Sequence, residues 1–224
     1  MNNFPLIYLI TDGEMTAQNF SRRKSQTLEL IKVAVQSNIS LIQIREREIS
    51  ARLVFEFASE AAKITRNTKT KLLVNDRADI ALAANADGVH LTSRSLSAAT
   101  IRRAFPENFI IGVSVHTVEE AENAKKQAAD FVIFSPIFST PDKGEPQGIE
   151  NLREVCEKLK PFPVIALGGI DADNFSEVLD AGASGFAAIR FLNDAENIRK
   201  LFTDKHRLKG ELRIKNYDLR ITRK

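Results

Sequence analysis

Short apolar runs alternate with longer amphipathic segments along most of this chain. Eight runs rich in β-branched residues read LIYLIT, LIQIR, KLLVN, GVHL, FIIGVSV, FVIF, PVIAL and GFAAI, and each has the length of a buried strand. Between them, apolar residues return at three- and four-residue spacing, which predicts helices over residues 26–37, 51–65, 118–127, 151–158 and 173–179. Eight strand–helix units predict an α/β protein, a (β/α)8 TIM barrel. A doubly wound open sheet is the alternative, because periodicity does not show closure.

Length and composition favour one domain. The chain has 224 residues, of which 43% are hydrophobic, so it can bury a large core without disulfide staples. Its single cysteine, Cys156, excludes an internal disulfide and is expected to be a core thiol in a reducing compartment. No apolar stretch approaches the roughly 20 residues of a membrane helix, and MNNFPLIYLITD carries no basic leader. We therefore expect a cytoplasmic protein.

The positive charge is concentrated at the carboxyl end. Residues 203–224 contain eight Lys and Arg against three Asp and Glu, so they account for more than the total net charge of +3. Residues 1–202, the predicted barrel, are therefore slightly acidic and do not suit a polyanion. The basic extension has no recognisable nucleic-acid motif, and a solvated or subunit-contacting extension is the favoured interpretation.

Polar residues follow the ends of several predicted strands. Active sites of (β/α)8 barrels lie at the carboxyl-terminal mouth, where side chains from different strands converge. Position alone therefore selects a set of candidates. They are Thr11, Asp12, Gln43, Arg45, Arg47, Asn75, Asp76, His90, Thr92, Ser93, Ser114, His116, Gly168, Gly169 and Arg190.

Two of these segments suit a phosphorylated substrate. In ALGGI, a glycine pair follows a strand and precedes the helix predicted near Asp173, so bare backbone N–H groups could hold an anion. The loop SPIFSTPDKGEPQG, residues 135–148, is the longest gap between regular elements and carries Thr140 and Lys143. Long loops inside compact domains are often binding loops or lids.

Several stretches taken together resemble the thiamine phosphate synthase family. They read YLITD, QIRERE, VNDRADIALAANADGVHL, GVSVHTVEEA, SPIFSTPDK and PVIALGGI, and the resemblance covers residues 7–202. It implies a (β/α)8 barrel that joins a hydroxymethylpyrimidine diphosphate to a thiazole phosphate, uses Mg2+ and releases pyrophosphate. The partners would then be these small molecules, with no nucleic acid and no membrane, and a homo-oligomer is compatible with the sequence.

The resemblance also implies roles for individual residues. Gln43 corresponds to the pyrimidine contact, and Arg45, Asn75 and Lys143 correspond to a diphosphate clamp. The full set comprises Arg45, Ser114 and Lys143 as catalytic residues, Asp76 as the magnesium ligand, and Gln43, Arg47, Asn75, Thr140, Gly169 and Arg190 as substrate contacts. Such residues suit the chemistry, since departure of diphosphate from a benzylic-type carbon calls for charge neutralisation and alignment, with no protein nucleophile.

The chain departs from the family pattern at two positions. Ser95 stands where a second magnesium-binding Asp is usual, so Asp76 would hold the metal without a carboxylate partner. Arg190 stands where a small Ser is common near the thiazole phosphate, and it would either bind that phosphate or obstruct the site. A competing interpretation makes Asp76 the cap of a helix beginning near Arg77.

Two other functions stay open from the sequence. A thiazole tautomerase of the same fold shares the IRER motif, but its catalytic His should align where this chain has Pro136. A non-catalytic binder of phosphorylated ligands would keep Arg45, Lys143 and the glycine pair after losing turnover. His90 and His116 are interpreted as structural histidines at strand ends.

Overall fold

Eight parallel strands close into a single barrel. The computed structural model describes residues 5–141 and 144–203. The strands are β1 Leu6–Ile10, β2 Leu41–Ile44, β3 Lys71–Asn75, β4 Gly88–Leu91, β5 Ile110–Val115, β6 Phe131–Phe134, β7 Val164–Leu167 and β8 Gly185–Ala188. Each pairs with its neighbours in chain order, and β1 pairs with β8. The (β/α)8 prediction is confirmed, and the open-sheet alternative is wrong.

Helices connect the strands and form the outer ring. They are α1 Phe20–Gln36, α2 Ala51–Thr65, α3 Ala78–Ala83, α4 Ala98–Ala104, α5 Val118–Lys126, α6 Gly148–Leu159, α7 Phe175–Asp180 and α8 Ala195–Thr203. Ser50, Ser97 and Thr117 cap three of them, each accepting a hydrogen bond from a backbone N–H of the first turn. Such N-terminal caps fix where each of these helices begins after the preceding strand.

Two apolar layers explain why the strands are almost continuously hydrophobic. One set of strand residues, among them Tyr8, Leu41 and Phe131, fills the barrel interior. The alternating set, such as Leu9 and Ile42, packs outward against the helices. At the carboxyl ends the inward positions become polar, and this change converts a packed core into a cavity floor.

Several predicted helix boundaries differ from the structure, and the helix predicted over residues 151–158, for example, spans Gly148–Leu159. The first helix begins at Phe20, six residues before the predicted start, because Phe20 is buried and begins the helical face ahead of a polar stretch. The helix expected near Asp173 begins at Phe175, because residues 171–174 form side-chain turns instead. In these turns Asp171 N–H donates to Asn174 Oδ1 at 3.0 Å, and Asp173 N–H donates to Asp171 Oδ1 at 2.9 Å.

Some of the sequence-based predictions fall on residues that the structure does not cover. Lys143 and all of the basic extension except Thr203 lie outside the described residues. Cys156 is a buried free thiol, as expected, and burial raises its pKa to about 12. Within residues 5–141 and 144–203, no helix has both the length and the apolar character needed to cross a bilayer.

Ala128 occupies a left-handed position that glycine or asparagine fills elsewhere in the fold. It follows the carboxyl end of α5 with φ of 62°, whereas Asn38, Asn85 and Gly182 take this role after other helices. A left-handed alanine costs about 1–2 kcal/mol, partly offset by the entropy that a glycine would lose. Ala128→Gly is therefore expected to stabilise the fold by about 0.5–1 kcal/mol, measured by urea denaturation. Ala99→Gly, inside α4, should destabilise it, and equal effects from both variants would contradict this explanation.

Candidate active site

A cavity of about 830 Å3 opens at the carboxyl-terminal mouth of the barrel. Its walls come from the ends of the strands and from the loops after β4, β6, β7 and β8. Among the residues predicted from the sequence, the lining includes Gln43, Arg45, Arg47, Asn75, Ser114, Thr140, Gly169 and Arg190. Asp76 lies beside the lining residue Asn75 but does not itself line the cavity. The structure thus brings together side chains from six different strand ends or the loops that follow them.

Two buried polar pairs form the cavity floor. Gln43 Nε2 donates to the hydroxyl oxygen of Tyr8 at 3.0 Å, and Tyr8 is fully buried below it. His90 Nε2 lies 2.8 Å from Ser114 Oγ, and His90 is also buried. Burial raises the pKa of Tyr8 and lowers that of His90 to about 4. Both deeper partners are therefore neutral at physiological pH, and the floor carries hydrogen-bonding groups without charge.

Three arginines give the upper cavity a positive character. Arg45 is half-buried and its pKa is lowered, chiefly by burial and then by the nearby cation of Arg47. Arg190 reaches the cavity from the loop after β8 and is exposed. None of the three guanidinium groups forms a hydrogen bond or ion pair with another described residue. Arginines that line one cavity without direct ion-pair partners among the described residues suit a polyanionic ligand.

A buried acid, Glu46, fixes the backbone from which the arginines project. Glu46 Oε1 accepts a hydrogen bond from the Thr11 hydroxyl at 2.7 Å, and Oε2 accepts one from the Met15 N–H at 3.1 Å. Thr11 Oγ1 in turn accepts from the Arg45 N–H at 2.9 Å. Sequence reasoning missed Glu46, although an acid between two arginines at the end of a buried strand was a usable signal. Its role is to tie the loop after β1 to the end of β2.

The buried position of Glu46 makes a prediction about pH and stability. Burial is the largest influence on its pKa and raises it, against the opposing hydrogen bonds from Thr11 and Met15. A carboxyl whose pKa is higher in the folded state favours folding most below its unfolded pKa, and that contribution is lost as pH rises through the folded pKa. The stability of the parent relative to Glu46→Gln should therefore fall as pH rises from about 4 to about 7. Chemical denaturation of both proteins across this range checks it, and a difference that grows with pH would contradict it.

Asp76 occupies an unusual backbone turn at the end of β3. Its φ is 57°, and the Arg77 N–H donates to the Asn75 carbonyl at 2.7 Å, which closes a three-residue turn. Its carboxylate accepts hydrogen bonds from Asn75 Nδ2 at 2.8 Å, from the Thr92 hydroxyl at 3.1 Å and from the Ser95 hydroxyl. Left-handed backbone at a non-glycine residue is frequent at functional sites, where surrounding contacts hold it in place.

The alternative role of Asp76, a helix cap, is wrong. Helix α3 begins at Ala78 with Arg77 as its N-cap residue, and that end has no side-chain cap. The left-handed turn directs the Asp76 carboxylate toward Thr92 and Ser95 in the loop after β4, away from the first N–H groups of α3. The carboxylate is thus held at the mouth by hydroxyl and amide donors.

The exposed Asp76 carboxylate at the mouth fits a weakly held divalent cation. In the described part of the chain, no group of three or more His, Cys, Asp or Glu side chains could hold a metal ion. Mg2+ does not need such a group, since it commonly binds one or two carboxylates and takes its other ligands from water and substrate phosphate. One exposed carboxylate beside a cavity lined by arginines satisfies that requirement.

The loops after β6 and β7 pack closely through the glycine pair. A Cβ on Gly168 would lie 2.7 Å from Pro136 Cα, and one on Gly169 would lie 2.8 Å from Phe138 Cβ. Both glycines have positive φ, so larger residues would clash and would also be strained. The pair was expected at the amino end of the next helix, but α7 begins only at Phe175. Any anion here would therefore contact loop backbone and not a helix terminus.

Other predicted candidates have structural partners. Asp12 forms an ion pair with Arg23. His116 Nδ1 lies 2.7 Å from the Ser135 carbonyl oxygen, which can only accept, so this nitrogen carries a proton. Thr92 and Ser95 hydrogen-bond to each other within their loop, where the Thr92 N–H donates to Ser95 Oγ at 2.7 Å.

Fold and cavity together define a class of protein: a closed (β/α)8 barrel whose mouth combines cations, glycine backbone and a neutral polar floor. The family model described as thiamine monophosphate synthase matches residues 7–192. The chain belongs to this family.

Known relatives agree with that membership. A thiamine-phosphate synthase from Methanoregula boonei is 40% identical over 186 residues, which cover 82% of this chain and 83% of the relative. One from Caldicellulosiruptor bescii is 37% identical over 189 residues, covering 83% and 85%. The solved structure of a thiamine phosphate pyrophosphorylase from Pyrococcus furiosus superposes with a TM-score of 0.78 at 33% identity, covering 94% of this chain and 98% of that one.

Proposed function

We propose that this protein is a transferase that couples hydroxymethylpyrimidine diphosphate with thiazole phosphate, giving thiamine phosphate and pyrophosphate. One observation carries the proposal: a single cavity, in a chain of this family, gathers Gln43, Arg45, Asn75, Ser114 and Gly169. The substrates are small and phosphorylated, which suits a cavity of about 830 Å3.

The cavity offers different chemistry at its floor and at its rim. The neutral floor, with Gln43 and Ser114, suits the uncharged aminopyrimidine ring. Arg45 and Asn75 border the β2–β3 side and would hold the diphosphate, joined by Lys143 as the resemblance implies. Arg47 adds a second cation on the same side. The leaving group would thus lie between cations while the ring is held below.

The opposite side of the cavity suits the thiazole phosphate. Gly169 contributes backbone from the loop after β7, and the loop after β6, which carries Thr140, packs against it. The Thr140 hydroxyl is buried and has no hydrogen-bond partner among the described residues. Arg190 adds a cation from the loop after β8. Phosphate sites near the last two strands are frequent in barrels of this kind.

Mg2+ would be held by Asp76 together with substrate diphosphate. When bound, the ion supplies positive charge that stabilises the departing diphosphate. The protein's own contribution is to hold Asp76 in place through Asn75, Thr92 and Ser95, and to keep the carboxylate at the cavity edge.

The reaction requires positioning more than acid–base chemistry. The bond between the pyrimidine methylene carbon and the diphosphate oxygen breaks, and the oxygen keeps the electron pair. The thiazole nitrogen then donates its lone pair to that carbon, which forms the new C–N bond. Arg45 would stabilise charge developing on the leaving oxygen, and the glycine-pair side would align the thiazole.

A coupling assay separates this function from its two alternatives. Purified protein is incubated with both substrates, with and without Mg2+, and thiamine phosphate is measured by mass spectrometry. Coupling in the presence of Mg2+ supports the proposal. Isomerisation of a thiazole carboxylate phosphate without coupling would support the tautomerase, which Pro136 at the cavity wall disfavours. Ligand binding without any product would support the binder.

Arg190→Ser tests the cation that stands where a small Ser is common in the family. If Arg190 binds the thiazole phosphate, removing it should raise the KM for that substrate about 10- to 100-fold, since hydrogen bonds to charged groups contribute about 1.5–3 kcal/mol. The KM for the pyrimidine diphosphate should change little. Steady-state kinetics with each substrate varied in turn measures both. A lower KM in the variant would show that Arg190 obstructs the site.

A further inference from the structure

His90 lies at the cavity floor, where its one side-chain hydrogen bond among the described residues is to Ser114. Its Nε2 lies 2.8 Å from Ser114 Oγ, while the ring is 2% exposed and packs against Tyr8 and Phe131 at centroid distances of 5.9 Å and 6.1 Å. Space for the ring depends on Gly112, where a Cβ would lie 2.8 Å from His90 Nδ1. These contacts leave the imidazole one orientation, with Nε2 toward the cavity floor.

The other ring nitrogen identifies the tautomer. His90 Nδ1 is buried and has no hydrogen-bond partner among the described residues. A buried N–H group without an acceptor is rarer in proteins than a buried acceptor atom without a donor. The neutral ring should therefore carry its proton on Nε2 and donate it to Ser114 Oγ. With that oxygen accepting from His90, the Ser114 hydroxyl hydrogen is free to point into the cavity.

We propose that His90 is a positioning residue that fixes Ser114 as a hydrogen-bond donor toward the pyrimidine diphosphate. The donor would meet an acceptor atom of that substrate, a ring nitrogen or a diphosphate oxygen. In this role His90 neither touches the substrate nor transfers a proton, and it acts through the direction of one hydroxyl group. The inference rests on the proposed function, because it names the substrate that Ser114 meets.

A double-mutant cycle distinguishes positioning from simple space filling. His90→Leu keeps an apolar side chain in the space but removes the donor, whereas His90→Gln can place an amide N–H near the position of Nε2. His90→Leu should lower kcat/KM for the pyrimidine diphosphate about tenfold in the parent, and less than about twofold in a Ser114→Ala background. His90→Gln should recover activity to within about threefold of the parent. Equal losses in both backgrounds, or no recovery with Gln, would overturn the proposal.

A second measurement uses the unmodified protein and does not depend on activity or on the folding of variants. Nitrogen-15 NMR of histidine-labelled protein reports which ring nitrogen of His90 carries the proton. The proposal requires the proton on Nε2, and a proton on Nδ1 would overturn it. If the protein makes no thiamine phosphate, the proposed function fails, while this spectrum still decides whether His90 donates to Ser114.

Discussion

Arg45→Ala is expected to lower kcat/KM about 30- to 1000-fold, a loss of about 2–4 kcal/mol of transition-state stabilisation. The structure gives the reason. Arg45 is the half-buried member of the arginine group, and burial lowers its pKa, so its charge has already lost part of its water. Glu46 and Thr11 fix its backbone, and a Cβ on Gly13 would lie 3.1 Å from Arg45 Nη1. A partly desolvated cation on a fixed backbone stabilises a leaving diphosphate more strongly than a fully solvated one does.

Matched variants show whether position or charge alone matters. Arg45→Lys keeps the charge but cannot form the bidentate hydrogen bonds of a guanidinium, so its rate should lie between those of Arg45→Ala and the parent. Arg47→Ala removes an exposed cation and should cost less than Arg45→Ala. Lys143→Ala should resemble Arg45→Ala if the loop after β6 supplies the second clamp. Steady-state kinetics compares all four, and near-normal turnover in Arg45→Ala would exclude a clamp at this position.

Asp76→Asn is expected to abolish most Mg2+-dependent activity with little change in stability. Asparagine tolerates the left-handed backbone at φ of 57° and can accept the hydrogen bonds from Thr92 and Ser95. It is a poorer ligand for a hard cation because it lacks the negative charge. The rate as a function of Mg2+ concentration and the denaturation midpoint are measured together. An active variant with the parental Mg2+ dependence would show that Asp76 does not bind the metal.

A reverse substitution supplies the control. Ser95 donates a hydrogen bond to the Asp76 carboxylate, so Ser95→Asp would place a second carboxylate beside the first. The variant should reach half-maximal rate at a lower Mg2+ concentration than the parent. Mg2+ binding to the parent should be weak in calorimetry without substrate and become appreciable once the pyrimidine diphosphate is added. Tight binding to the free protein would contradict a site completed by substrate.

The eight alternating strands and helices could be predicted from the sequence because the strands are buried on both faces. Runs such as KLLVN and FVIF are continuously apolar, and each is followed by a segment with helical spacing. Closure of the sheet could not be predicted, because it depends on the pairing of β1 with β8. That pairing joins strands far apart in the chain and produces no pattern in the sequence of either strand. The start of α7 was displaced because side-chain turns at residues 171–174 delay the first helical turn.

The cavity residues could be located because strand ends converge at one mouth, but their partners could not. Glu46 reaches Thr11 across 35 positions of sequence, and His90 reaches Ser114 across 24. Such pairs depend on the register of neighbouring strands and on space left by a residue such as Gly112. The direction of the Asp76 carboxylate also depends on one backbone angle, which sequence pattern does not specify.

The most direct test of the proposed coupling follows both products in one reaction. Purified protein receives hydroxymethylpyrimidine diphosphate, thiazole phosphate and Mg2+, and thiamine phosphate and pyrophosphate are quantified over time. The proposed function predicts that the two products appear in equal amounts and that thiamine phosphate is absent when either substrate is omitted. No thiamine phosphate, with both substrates shown to be intact and the protein shown to be folded, would contradict it.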